Sequence, residues 1–207
     1  GRPVAMLSDL RKSPPAERAL AGRLAKVGKL IDELYREQKG SWRYRTSVKD
    51  AASRALFERN QGPWCEAPAT ENDPFCSALS SFPKKRSSAY PLGWGQDSAM
   101  CDELRKMPDG KALLDPFTVV RAIATTGKDS KLSALPLTAV YGEKMGRVAF
   151  ELRAAAAALG ADEVALKRYL LAAAEGFKTN DWSGADEAWA VMGSRNSRWY
   201  LRVGPDE

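Results

Sequence analysis

A mainly α fold is what this sequence predicts: a helical bundle with a long Pro- and Gly-rich loop and a C-terminal β-strand. Three observations carry that reading. Apolar residues recur at helical spacing in several blocks. Capping residues and glycine stops bracket those blocks, and strict period-two alternation is confined to the end of the chain.

The first helix opens at Ser13-Pro14-Pro15, with Ser13 as N-cap, a proline at the first helical position and Glu17 in the first turn. Leu20, Leu24, Val27, Ile31 and Leu34 then repeat at alternating spacings of four and three, one apolar stripe on a helix that ends near Lys39 with Gly40 as its stop. A second helix is predicted from Ser47 to about Asn60, burying Val48, Ala52, Ala55 and Leu56. The two make a basic helical hairpin, with Arg18, Arg23, Lys26, Arg36 and Arg54 on its wet side.

Residues 61–97 are the least regular part. Five prolines (63, 68, 74, 83 and 91) and glycines 62, 93 and 95 break any long element. Trp64, Phe75, Phe82, Tyr90 and Trp94 are spread through the loop, which predicts that it lies against the body of the protein, with a short helical turn over Phe75–Ser81. Beyond it helices dominate. Ser98 caps one to about Met107, Asp115-Pro116 begins another through about Ala124, and Pro136 opens a longer one to Leu159. That last helix turns Val140, Met145, Val148 and Leu152 inward, with Gly142 and Gly146 as weak points. Asp162 caps a helix to Glu175 that buries Leu166, Leu170, Ala173 and Phe177. Asp181 or Ser183 caps the final helix, which presents Trp182, Ala185, Trp189 and Met192 inward before Gly193 ends it. No fixed repeat links these helices. The expected organisation is 1–62, a basic helical hairpin; 63–97, an irregular aromatic loop; and 98–207, a helical domain ending in a strand, all packed as one unit.

Composition narrows the chemistry. At 44% hydrophobic and 28% charged the chain has the balance of a globular domain, and no apolar run approaches the roughly 20 residues of a membrane span. The chain contains no histidine, so Ser-His-Asp and Cys-His catalysis and a His-ligated zinc site are excluded. Three cysteines are too few for a four-thiolate centre. Residues 1–60 hold 14 Lys/Arg against 7 Asp/Glu and the remainder 18 against 19, so the net charge of +6 comes from the first segment. A solvated helical face accounts for this most cheaply, an anionic partner surface more sharply. Cys65 and Cys76 bracket a Pro-, Asn- and Asp-rich loop that a disulfide would close into a short ring, which points to an exported protein: periplasmic, cell-surface or secreted. Cys101 is left over, as a buried small hydrophobe or as the partner of a cysteine outside this sequence.

Ser41-Trp42-Arg43-Tyr44-Arg45 interleaves aromatics with arginines, the mixture a nucleic-acid surface needs. With no binding motif around it, the sequence argues against nucleic acid and for aromatics that plug a helix corner while arginines snorkel. Trp64 and Trp94 offer a platform for a sugar or peptide, but tryptophans in such a loop more often anchor it to the core. The adjacent carboxylates Asp102/Glu103 and Asp186/Glu187 diverge by about 100° on a helix and form no acid/base pair. Gly142-Glu-Lys-Met-Gly146 lacks the spacing of a phosphate loop.

At the C-terminus, Trp199, Leu201 and Val203 alternate with Arg198, Tyr200 and Arg202, the pattern of a strand over 197–203 with one buried face. A lone strand leaves its backbone groups unsatisfied. The expectation is that this sequence is one piece of a longer protein. Tyr169-Leu-Leu-Ala-Ala-Ala174, Phe177, Thr179-Asn-Asp-Trp182, Ala185-Asp186, Ala188-Trp189 and Asn196-Ser-Arg-Trp-Tyr-Leu-Arg-Val-Gly-Pro-Asp-Glu207 resemble a stretch of bacterial proteins related to dipeptidyl peptidase III. Those are zinc peptidases, and the resemblance implies a helical region leading into strands of a small β-rich subdomain. In the family a Gly-Pro strand leads to a Glu, then to a Tyr two residues later, both facing the substrate. On that pattern Glu207 matches the Glu that holds the peptide's N-terminal ammonium, and the Tyr falls just past Glu207. The zinc motif, His-Glu followed by a second His, has no counterpart in a chain without His, and the second zinc-binding Glu segment is absent too. The resemblance therefore implies an N-terminal scaffold and cleft wall, with no catalytic or metal residue of its own. Zinc and the remainder of the parent polypeptide would complete it, and a peptide would be its substrate. The competing reading is a non-catalytic exported helical binding module for a protein or cell-surface partner, using the basic segment or the aromatic loop.

Overall fold

Helices supply most of the regular structure in the computed structural model, which describes residues 9–92, 94–123 and 131–205. The described residues hold seven α-helices and one two-stranded antiparallel sheet, so the fold is mainly α, as the periodicity predicts. The chain divides into two compact units, Gly1–Leu30 with Glu143–Gly204, and Ile31–Gly142 with Pro205–Glu207.

Helix α1 (Pro15–Lys39) contributes to both units. Leu20, Val27 and Leu34 of its predicted stripe are buried, joined by Leu30, while Leu24 and Ile31 are half-buried. Gly40 ends it at φ +63°, a conformation in which a side chain is strained.

In the first unit, α5 (Leu137–Ala158, from Glu143 onward), α6 (Val164–Thr179) and α7 (Ser183–Ala190) bury Met145, Val148, Leu152, Leu166, Tyr169, Leu170 and Phe177. Each such side chain contributes about 1.5–3 kcal/mol through removal from water. Phe177 meets Trp182 edge-on at 4.8 Å. Asn180, at φ 67°, closes α6 by donating its N–H to Gly176 O at 2.9 Å. Asp181 accepts from the Ser183 N–H at 3.0 Å just before α7. The break in α5 falls at Tyr141 (φ −118°, ψ 20°), beside the predicted weak point Gly142.

In the second unit a 3₁₀ turn (Trp42–Ser47) precedes α2 (Ala51–Asn60). The predicted helix from Ser47 therefore starts later, because Asp50 accepts from the Ser53 N–H at 2.9 Å and outcompetes Ser47 as N-cap. Asp97 likewise, rather than Ser98, caps α3 (Ser98–Arg105). After the single-turn α4 (Gly110–Leu113), the predicted helix from Asp115 is instead strand β1 (Thr118–Ile123), paired antiparallel with β2 (Lys131–Pro136) in the register Val119↔Leu135, Arg121↔Ser133. The reason is local. Asp115 Oδ1 accepts from the Phe117 N–H at 2.8 Å, making a turn, and the β-branched Thr118, Val119, Val120 and Ile123 favour the extended chain. Ala124, the predicted end of that helix, lies outside the described residues. Val120 and Leu132 join Met100, Leu104 and Leu113 in one apolar cluster, and Val48, Phe57, Ala78 and Leu79 form a second.

Residues 61–97 carry turns and no helix over Phe75–Ser81. Cys65 and Cys76 are joined, and a bridge pairs Trp64 with Ser77 at the neck of the ring. Trp64 is buried with Nε1 donating to Pro83 O at 2.6 Å, and Tyr90 and Trp94 pack on the first apolar cluster, so these three anchor the loop. Phe75 and Phe82 depart from the prediction. They are exposed and meet edge-on at 5.6 Å.

Candidate functional site

The segment 197–203 is extended but lies in no sheet. Its alternation is nonetheless realised: Ser197, Trp199, Leu201 and Val203 are half-buried and Arg198, Tyr200 and Arg202 exposed. Side chains, not a strand, hold it. Glu163 heads α6, yet its carboxylate makes no cap. Buried to 3% exposure, it accepts from the Arg198 N–H at 3.1 Å, from Arg198 Nε at 3.2 Å and from Ser197 Oγ at 2.7 Å. Arg198 also pairs with Glu17 at 2.9 Å and Asp162 at 3.3 Å, and its bond to Glu163, then these two carboxylates, hold its guanidinium above its ordinary pKa. Farther along, the Tyr169 hydroxyl accepts from the Val203 N–H at 2.7 Å and donates to Val203 O at 3.3 Å. Burial pushes the Tyr169 phenol up, outweighing the bond from Val203. Arg202 lies 5.9 Å over the Trp189 ring and pairs with Asp186 at 3.5 Å.

In the second unit, Pro205 is buried and its carbonyl accepts from Nε2 of Gln38. Gln38 is itself buried on the last turn of α1. Its main-chain oxygen accepts from Ser88 N at 2.7 Å, Ser88 Oγ at 2.8 Å and Ser87 Oγ at 3.1 Å. Residues 87–89 connect onward to the sheet, since Val120 N donates to Ala89 O at 2.7 Å and Arg121 donates to Ser88 O at 3.1 Å. A cavity of about 340 Å³ opens beside Gln38, with Ser87, Tyr90, Leu114, Thr118 and Val119 in its walls. Glu207, the residue the family resemblance implicates, lies outside the described residues, as does Gly93 of the tryptophan loop.

A second polar centre sits under the disulfide loop. Lys39 is 1% exposed; its Nζ meets Glu66 Oε1 at 2.6 Å and donates to Asn60 O at 2.9 Å, with the Tyr35 ring at 5.1 Å and Trp64 at 5.8 Å. Lys85 pairs with the other Glu66 oxygen at 2.9 Å. Burial works to raise the Glu66 carboxyl, but the two lysines outweigh it and hold it below its ordinary value. Outside this centre, the guanidiniums of Arg36 and Arg45 lie 4.8 Å and 4.9 Å from the centre of the Trp42 ring, and both pair with Glu58. The sulfur of Cys101 is unbonded, and the residue, half-buried rather than buried, packs on the first apolar cluster. Among the described residues no group of three or more His, Cys, Asp or Glu is arranged to hold a metal, and no helix is long and apolar enough to cross a membrane.

Gln38 and Glu163 went unremarked in the sequence, and Tyr169 entered only as part of the stretch that carries the family resemblance. Gln38 had a readable signal: it falls four residues after Leu34, where the apolar stripe calls for a hydrophobe. Glu163 and Tyr169 had none, because their partners lie more than thirty residues away.

These helices with their small sheet resemble part of a larger peptidase. One solved structure it resembles is the dipeptidyl-peptidase III of Corallococcus sp. strain EGB, at 26% identity and TM-score 0.71, covering 93% of this chain and 36% of that one. Another is the enzyme of Caldithrix abyssi, at 23% identity and TM-score 0.64, covering 87% of this chain and 34% of that one, a likeness of fold alone. The chain thus spans about a third of the length of both. No family model and no curated protein matches it.

Proposed function

We propose that this chain is the N-terminal scaffold and one wall of the substrate cleft in a dipeptidyl-peptidase-III-like protein, not catalytic by itself. The similarity to the Corallococcus enzyme over 93% of the chain carries this reading. In the parent, zinc supplies an activated water for peptide hydrolysis. A chain without histidine fits no such centre, so that chemistry is assigned to the rest of the polypeptide. This chain's own part is recognition. A carboxylate at Glu207 that takes the free ammonium of a peptide measures the substrate from its end, which is what release of dipeptides requires. The main-chain groups of Tyr200, Leu201 and Arg202, engaged by no other described residue, suit pairing with an extended peptide. Export is supported by the Cys65–Cys76 disulfide.

The test is direct. The full-length product containing this chain is expected to release dipeptides from free-amine peptides and to lose that activity with a chelator. A metal-loaded full-length product that releases none, or a stop codon directly after the codon for Glu207, sinks the reading. The exposed Trp42 and Arg45, with the half-buried Arg36 beside them, favour a second reading, a binding module for an acidic partner. Binding through them weakens with added salt; salt-insensitive binding rejects this reading.

A further inference from the structure

We infer that the disulfide loop carries a docking surface for a second copy of this chain, centred on Phe75 and Phe82 and closed by a two-fold contact. This pair departs from the other aromatics of the loop: Phe75 is 75% exposed and Phe82 45%, and their rings meet edge-on at 5.6 Å. Phe82 sits at φ +42°, a left-handed conformation that a bulky side chain rarely adopts. Its N–H donates to Leu79 O at 3.1 Å, and the next carbonyl, Pro83 O, accepts from the buried Trp64 Nε1 at 2.6 Å, so the turn is held from both ends. Phe75 is placed by the Asp73 carboxylate, which accepts its N–H at 2.9 Å within the ring closed by Cys65 and Cys76. The fold thus presents both phenyl groups to water on a cross-linked base, and exposed aromatic surface of this kind marks a contact region.

Charge selects the occupant. A groove of about 240 Å³ has Phe82 in its wall; the ring lends it Glu71 and Asp73, and the segment after Phe82 lends it Lys84 and Lys85. All of these are exposed. Lys85 pairs with Glu66 at 2.9 Å, but among the described residues Glu71, Asp73 and Lys84 make no ion pair, so both signs are left for a partner. A partner of single sign would be repelled by half of the patch. A second copy related by a two-fold axis through the phenyl pair brings its Lys84 to Glu71 and its Glu71 to Lys84, with both phenyl pairs packed between them. Each contact of such an isologous interface is made twice. None of these residues belongs to the terminal segment, and the contact is independent of what the cleft binds.

The experiment is sedimentation velocity on the full-length product at concentrations up to about 100 μM, where a small two-fold interface associates. The wild type should sediment faster as concentration rises. Phe75→Asp, at a position open enough to leave the fold intact, should stay monomeric, with circular dichroism as the check on folding. Lys84→Glu and Glu71→Lys should each weaken self-association by about tenfold, because each sets like charges against each other on both sides of the axis. Mixed in equal amounts, the two charge variants should associate with each other as tightly as the wild type does with itself, since every crossing pair is again of opposite sign. A wild type that remains monomeric overturns the inference, whether the face is covered by the rest of the parent polypeptide or left bare. So does a dimer that survives Phe75→Asp, or a mixture that associates no more tightly than its components.

Discussion

Tyr169 illustrates how much rests on single polar atoms. Its hydroxyl serves both main-chain groups of Val203 from within a buried helix face. Tyr169→Phe should lower unfolding free energy by about 1 kcal/mol in denaturant titration, since a part-buried N–H is left without its acceptor. The phenol's pKa is raised in the folded state, chiefly by burial. Such a group's contribution is present in full below its unfolded pKa near 10 and is lost as pH rises through the folded value. The Phe variant should accordingly lose less stability than wild type above about pH 10. Gly40 makes a sterner case: Gly40→Ala adds a side chain at φ +63° facing Ser88, and a loss of about 1–2 kcal/mol is expected by the same measurement.

At the scale of elements, the loop over residues 61–97 is held by the Cys65–Cys76 bond and by Lys39–Glu66–Lys85 beneath it. Reduction with dithiothreitol should lower stability by about 3 kcal/mol, the loop entropy of a ring this size. Glu66 is held below its ordinary pKa, so its contribution exists above its unfolded value near 4.3 and is lost as pH falls through the folded value. Acid titration of wild type against Glu66→Gln should therefore diverge above about pH 4 and converge below it. These elements were unequally legible. The stripe of α1 and the buried faces of α5 and α6 could be read because helix periodicity is local. Strand β1 was misread because Asp-Pro serves equally as a helix start and as a turn. Only the β-branched run after it separates the two. The Lys39 centre and the Gln38–Pro205 bond were illegible, being made by partners far apart in the chain.

For the whole molecule, the chain spans about a third of the length of the dipeptidyl-peptidase III structures it resembles, so the proposed activity is tested on the full-length product, while stability is testable in the residues described. The alternation of the terminal segment was legible in the sequence; the polar contacts of Glu163 and Tyr169 that hold it were not. The terminal segment shows why. Its period-two burial reports contact of one face with a surface and says nothing about a ladder of hydrogen bonds, which is absent. Deuterium uptake will separate the two. The Val203 amide, bonded to Tyr169, should exchange slowly, while those of Tyr200, Leu201 and Arg202 exchange at close to solvent rates.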